Sequence, residues 1–321
     1  MTDPLRNPQV FVRNVQVLMR KNPAAPIDEI KSAIDTVPAG TDMNSEFIEA
    51  LENKQYEVAK YLVEKRNTHT SFDDVLAFIE AGMPIEGMKI AIDALESRDM
   101  DSTLSLLLGY AIAHGRLDTV KYLVDDKGVN PNGFDGQTYF IEKAIEGYDP
   151  RNPQGVDLIK YMIEKVDPKS LARRSVYDPE TTPLHLVAER PGIPVAIIEQ
   201  ILDKNPGMID MQITPQRGAD GHLTALHLAA LNNNVPVVQA LVNRGANTQL
   251  KTSVGRKTAH AFATDATIKG ILNVGPDPAG GPPPAPGGAG SNPGSPGQGG
   301  RRRTRSKSRH TRRRTRRRNR I

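Results

Sequence analysis

Two short sequence patterns recur along this 321-residue chain, and a chain written by repetition folds as stacked copies of one unit rather than around a single enlarging core. In the first, Glu57-Val58-Ala59-Lys60-Tyr61-Leu62-Val63-Glu64 returns as Asp118-Thr119-Val120-Lys121-Tyr122-Leu123-Val124-Asp125 and as Asp157-Leu158-Ile159-Lys160-Tyr161-Met162-Ile163-Glu164. Each copy opens on an acid, which the positive end of a helix dipole favours, and spaces its apolar residues at i, i+3 and i+4. The three are one helix reused. In the second, Thr182-Pro183-Leu184-His185-Leu186-Val187-Ala188 returns as Thr224-Ala225-Leu226-His227-Leu228-Ala229-Ala230, followed by an apolar stretch from Val237 that ends at Arg244-Gly245-Ala246-Asn247. With 38% hydrophobic and 5% aromatic residues and no Trp, the core of such units is built from Leu, Ile, Val and Ala.

The second pattern resembles the ankyrin repeat, a unit of about 33 residues made of a β-turn and two antiparallel helices with a Thr-Pro-Leu-His-x-Ala signature. The chemistry of the matched residues agrees with that unit. Thr182 and Thr224 are N-cap types, Pro183 stands in a first turn where an N–H has no partner, and the alanines let helices approach closely. Gly245 falls where the second helix stops and positive φ is common. Asp135-Gly136-Gln137-Thr138 and Asp220-Gly221 mark turns ahead of first helices. With the Thr position as origin, units start near Ser45, Ser71, Leu106, Thr138, Thr182, Thr224 and Thr258, at spacings of 26, 35, 32, 44, 42 and 34. Residues 149–155 and 209–219 are insertions that explain the two longest.

The resemblance implies an all-α solenoid of about seven helix-pair units with β-turn fingers over residues 41–275. Residues 1–40 read as a helical N-terminal cap, with helices at Pro8–Lys21 and Ile27–Val37. The resemblance further implies that His185 and His227 are structural, bridging neighbouring turns by hydrogen bonds. It also implies that a protein partner binds the concave surface of fingers and first helices, which here includes Asp135, Gln137, Asp178, Glu180, Asp220, His222 and Arg256. The partly acidic character of this set suggests a basic or mixed partner. Divergent units with Lys-Tyr-Leu-Val helices and an Arg-rich tail also look like proteins of large DNA viruses.

From Pro276 the chain changes character. Residues 276–300 hold 8 Pro and 9 Gly in 25 positions, a composition that sustains neither helix nor strand and reads as a flexible linker. Residues 301–321 read as a disordered basic tail: Arg301-Arg302-Arg303-Thr304-Arg305-Ser306-Lys307-Ser308-Arg309-His310-Thr311-Arg312-Arg313-Arg314-Thr315-Arg316-Arg317-Arg318-Asn319-Arg320 carries 13 cations and no acid. Without those 13 the chain keeps 29 basic against 37 acidic residues, a net of −8 hidden by an overall +5. Such an arm is suited to nucleic acid or to a nuclear import receptor, and with no aromatic residue interleaved it reads charge rather than sequence. Thr304, Ser306, Ser308 and Thr315 each follow an Arg by three residues and are candidate phosphorylation sites.

Other function classes fall away. There is no cysteine for a disulfide, a thiol nucleophile or a Cys-ligated metal, and Met1–Arg20 lacks the apolar run of a secretory signal. The longest apolar run, Leu104–Ala113, is half of the ~20 residues that span a bilayer. Gly255-Arg256-Lys257-Thr258 breaks the Gly-Lys order of a phosphate loop, and His222 with His227 points apart on a helix. No enzyme, cofactor, metal, small-molecule substrate or membrane anchor is expected. The expectation is a non-enzymatic intracellular adaptor, nuclear or nucleocytoplasmic, with nucleic-acid packaging and enzyme regulation as alternatives.

Overall fold

Helices form wherever the i, i+3, i+4 spacing recurs, and they come in pairs. The structure is a computed structural model that describes residues 7–21, 25–136, 138–175, 181–213, 221–253 and 255–274. The pairs are α1 (Pro8–Met19) with α2 (Ile27–Thr36), α3 (Asn44–Glu52) with α4 (Tyr56–Arg66), α5 (Phe72–Ala81) with α6 (Ile85–Asp93), and α7 (Met100–Ala113) with α8 (Leu117–Lys121), which runs on as a π-turn over Tyr122–Asp126. Next come α9 (Phe140–Glu146) with α10 (Gly155–Lys165), then a lone turn α11 (Pro168–Leu171). α12 (Pro183–Glu189) with α13 (Val195–Lys204), α14 (Ala225–Leu231) with α15 (Val235–Asn243), and α16 (Ala259–Phe262) with α17 (Ala266–Val274) complete the series. The linker and the Arg-rich segment lie outside the described residues. Among the described residues there is no extended strand, and no helix is long and apolar enough to cross a membrane.

Second helices stack on second helices from α2 through α17, and first helices stack on first helices from α5 through α16 and between α1 and α3. The result is two helical layers sharing one apolar seam of Leu, Ile, Val and Ala, each fully buried aliphatic side chain contributing ~1.5–3 kcal/mol. Local chemistry sets the helix ends. Ser71 and Asp74 cap α5 reciprocally, the Ser71 Oγ accepting from the Asp74 N–H at 3.2 Å and the carboxylate accepting from the Ser71 N–H at 2.9 Å. After α3, α5, α7 and α14 the chain turns left-handed at Lys54, Gly82, Gly115 and Asn233. The following N–H then reaches back into the last turn at 2.8 to 3.0 Å.

α7 begins at Met100, six residues ahead of the origin read at Leu106, because the Asp99 side chain accepts from the Ser102 N–H and starts the helix there.

Two devices join neighbouring units. Cationic side chains cap the last carbonyls of a helix one unit earlier: Arg66 on Val37 at 2.7 Å, Arg116 on Ile79 and Glu80 at 2.9 Å, Arg190 on Ile145 at 3.3 Å, and Lys204 on Ile163 at 2.6 Å. Each meets carbonyls in the last turn of a helix or just past it, at its negative end. In the second-helix layer, the repeated Tyr lies between two lysines. Lys31 and Lys65 stand 5.3 and 5.9 Å from the Tyr61 ring, Lys89 and Lys127 5.1 and 5.6 Å from Tyr122, and Lys121 and Lys165 5.9 and 5.4 Å from Tyr161. Tyr61 donates to Asp35 and Tyr122 to Asp93. Lys65 and Lys165 follow their Tyr by four residues but Lys127 by five, the residue added by the π-turn.

Candidate protein interaction face

The Thr-x-x-His pairs cap the first helices α12 and α14, and the first of them ties its helix to a finger. The His185 ring is fully buried; its Nδ1 accepts from the Thr182 N–H at 3.3 Å, so its Nε2 carries the proton and donates to the Met211 carbonyl of the next finger at 3.0 Å. Burial holds its pKa down at about 4 against the pull of the Met211 and Leu223 carbonyls, so the ring is neutral at physiological pH. His227 Nδ1 accepts from the Thr224 N–H at 3.1 Å, its ring meets the Phe262 ring edge-on, and burial again lowers its pKa. Leu184 and Leu226 are core residues, Pro183 sits in the first turn of α12, and Gly245 closes α15 at φ +87°.

Glu142 stands at the matching place in α9, three residues past its N-cap, and is equally buried. Burial pushes its carboxyl up to about 7; hydrogen bonds from the Tyr139 N–H and the Ser175 side chain pull it down, and the charge of Glu146 adds to the rise.

The finger residues named from the sequence separate. Asp135 faces inward: its side chain is 8% exposed, pairs with Lys143 of the following helix, and accepts from the Thr138 N–H at 3.0 Å. It braces its own finger and is not offered to a partner. His222 and Arg256 are exposed, both with left-handed backbone, on fingers joined side by side by the Ser253 N–H and the Gly221 carbonyl at 2.9 Å. Gln137, Asp178, Glu180 and Asp220, the arm Arg301–Arg320 and its four hydroxyl positions lie outside the described residues.

The first-helix layer carries a feature that a residue-by-residue reading misses. α3, α5, α7 and α9 together hold nine acidic residues and one basic. That one, Lys143, is the partner of Asp135. The second helices of the same four units hold nine acidic and seven basic residues. Glu52, Asp73, Glu80, Asp101 and Glu146 are exposed and in no ion pair among the described residues. The same layer exposes two large apolar side chains of α7, Leu106 at 47% and Met100 at 36%. α3 and α5 are also the one consecutive first-helix pair that does not pack closely, and a cleft of about 430 Å³ opens between them. Counting charge helix by helix, instead of over the whole chain, would have found this.

Comparison with known proteins identifies the unit. Residues 151–252 match the family model described as ankyrin repeats, in three copies. That segment carries ankyrin repeats. The matched segment runs from the insertion before α10 into the finger that follows α15. Ankyrin repeats are protein–protein interaction modules. No curated protein matches the chain. Among solved structures, the chain is similar to one from the complex of a predatory endopeptidase of Bdellovibrio bacteriovorus with immunity protein Bd3460. The two are 22% identical, the match covers 71% of this chain and 96% of that one, and the TM-score is 0.42.

Among the described residues no group of three or more His, Cys, Asp or Glu side chains is placed to hold a metal.

Proposed function

We propose that this protein is a non-enzymatic adaptor. Its ankyrin solenoid captures a protein, and its Arg-rich arm associates the pair with nucleic acid or with a nuclear import receptor. The observation that supports this most is the division of charge: a body of net −8 with ankyrin repeats is followed by 13 cations without an acid. Each phosphate that such an arm neutralises releases counterions, giving a log-log salt slope of ~−0.9 per contact on duplex DNA; 13 contacts set a ceiling of about −12, and engagement of half of them gives about −6. Phosphorylating Thr304, Ser306, Ser308 and Thr315 adds about −6 to −8 and cancels roughly half of the arm, which makes it a charge switch.

Affinity purification of the full chain and of residues 1–275, with and without nuclease, tests the division of labour. Proteins are expected with both forms, and nucleic acid only with the full chain. Recovery of the same proteins and no nucleic acid with both would remove the role given to the arm. Replacing the four hydroxyl residues with Glu is expected to weaken nucleic-acid binding at low salt; unchanged affinity sinks the switch.

A further inference from the structure

We infer that the first-helix face from α3 to α7 seats a basic amphipathic segment of the partner protein, one that presents a large apolar side chain flanked by Lys or Arg. This rests on the adaptor reading and names the place and chemistry of what the solenoid holds. Only residues 67–71 join α4 to α5, too few for the hairpin finger that precedes α14, and the first helices α3 and α5 stand apart there. The cleft between them is lined by Leu51 and Phe78, 1% and 5% exposed, with the small exposed Ala77 and Ala81 leaving it open. Met83 forms part of its wall, a side chain that adapts its shape to what packs against it. At about 430 Å³ the space is in the range of ~300–1,000 Å³ typical of built ligand sites.

The rim decides the sign of the occupant. Glu52 stands on a ridge shared by this cleft and a second one between α1 and α3, and it is exposed without a cation. Asp73 and Glu80 stand at the two ends of α5, and the Glu80 carboxylate accepts from the Tyr110 hydroxyl. Of the residues lining the cleft Glu52 is the one acid and Lys54 the one base, and the Arg116 guanidinium lies against Gly82 of the wall; Asp73, Glu80 and Asp101 on α5 and α7 add the acidic excess of the face around it. α7, the next first helix, also exposes apolar side chains, Met100 and Leu106. An acidic rim repels nucleic acid and acidic peptides, and an apolar floor gives nothing to a purely charged one. The occupant that satisfies both carries cations around an apolar anchor. Within residues 301–320 the Arg-rich arm of this chain has no Leu, Ile, Val, Met, Phe, Tyr or Trp to stand as an anchor between its cations.

The test is fluorescence anisotropy of the full chain with a labelled amphipathic Lys/Leu peptide and with the same peptide carrying Ser for Leu. Tight binding is expected for the first, with loss of about tenfold for the second, for Glu52→Lys and for Ala77→Arg. Glu64→Lys places the same charge change on the exposed side of α4 and is expected to move affinity less than about twofold. Thermal melting monitors the fold of each variant. Equal losses for Glu52→Lys and Glu64→Lys, or equal binding of the Ser peptide, would reduce the effect to general charge and overturn the proposal, as would no binding at all. If the peptide fails while affinity purification still recovers proteins with residues 1–275, the seat lies elsewhere on the solenoid and the adaptor reading stands.

Discussion

A carboxyl in the place of a motif histidine titrates with the opposite effect on stability, and Glu142 offers a direct measurement of it. Its pKa lies at about 7 in the folded chain against an ordinary 4.5. Between those values the folded chain holds a proton that the unfolded chain has released. The stabilisation from the neutral carboxyl is complete below the unfolded value and is lost as pH rises through the folded one. At ~1.4 kcal/mol per unit the whole displacement amounts to at most ~3 kcal/mol. His185 acts the other way: with its pKa depressed from 6.5 to about 4, its contribution is present above 6.5 and lost as pH falls toward the folded value. The wild-type curve mixes the two, so the readout is a difference. Urea unfolding of the wild type and of Glu142→Gln at about pH 5 and about pH 8 is expected to show the wild type losing ~2–3 kcal/mol more than the variant on going to the higher pH. Parallel profiles would show that Glu142 carries no buried proton and would refute the reasoning.

Three further outcomes follow from the geometry. His185→Ala leaves the Met211 carbonyl and the Thr182 N–H without their partner in a fully buried site, and is expected to cost ~3 kcal/mol in urea unfolding; a loss under ~1 would mean that the finger does not depend on this bridge. Gly133→Ala puts a methyl 2.7 Å from the ring of Phe140, itself fully buried, and is expected to cost ~1–3 kcal/mol, with an unchanged midpoint counting against the packing. Lys54→Gly relieves a left-handed residue at φ +59° after α3 and is expected to add ~1 kcal/mol, which a lower melting temperature would contradict.

The units at Thr182 and Thr224 are legible in the sequence because everything that defines them is local: a cap, a buried histidine three residues on, and a glycine at the end. The unit read at Leu106 shows where that ends. Gly109 occupies its histidine place, where the Asp135 side chain and the Phe140 ring leave only 3.0 to 3.2 Å to any methyl group added there, and the true start is set upstream by Asp99. Asp135 looks like an outward finger acid until Lys143 of the next helix turns it inward. The cationic clamps are invisible for the same reason, since the acceptors of Arg66, Arg116, Arg190 and Lys204 are backbone carbonyls 29 to 45 residues away and have no sequence signature.

Those clamps also determine where the net charge of the body appears. Lys204 and Arg66 cap carbonyls within the second-helix layer, while Lys31, Lys65, Lys89, Lys121, Lys127 and Lys165 flank its tyrosines. Lys127 and Lys165 in addition pair with Asp93 and Asp125 of that layer. While Arg116 and Arg190 cap the first helices α5 and α9, most of the lysines of these units are thus engaged in the second-helix layer. The acids of α3, α5 and α7 receive almost none of them. An excess that looks like a diffuse −8 along the chain is therefore found largely on the first helices α3, α5, α7 and α9. A stack that engages most of its lysines between second helices leaves the first-helix layer with an excess of acids, and a basic partner is what that layer then attracts.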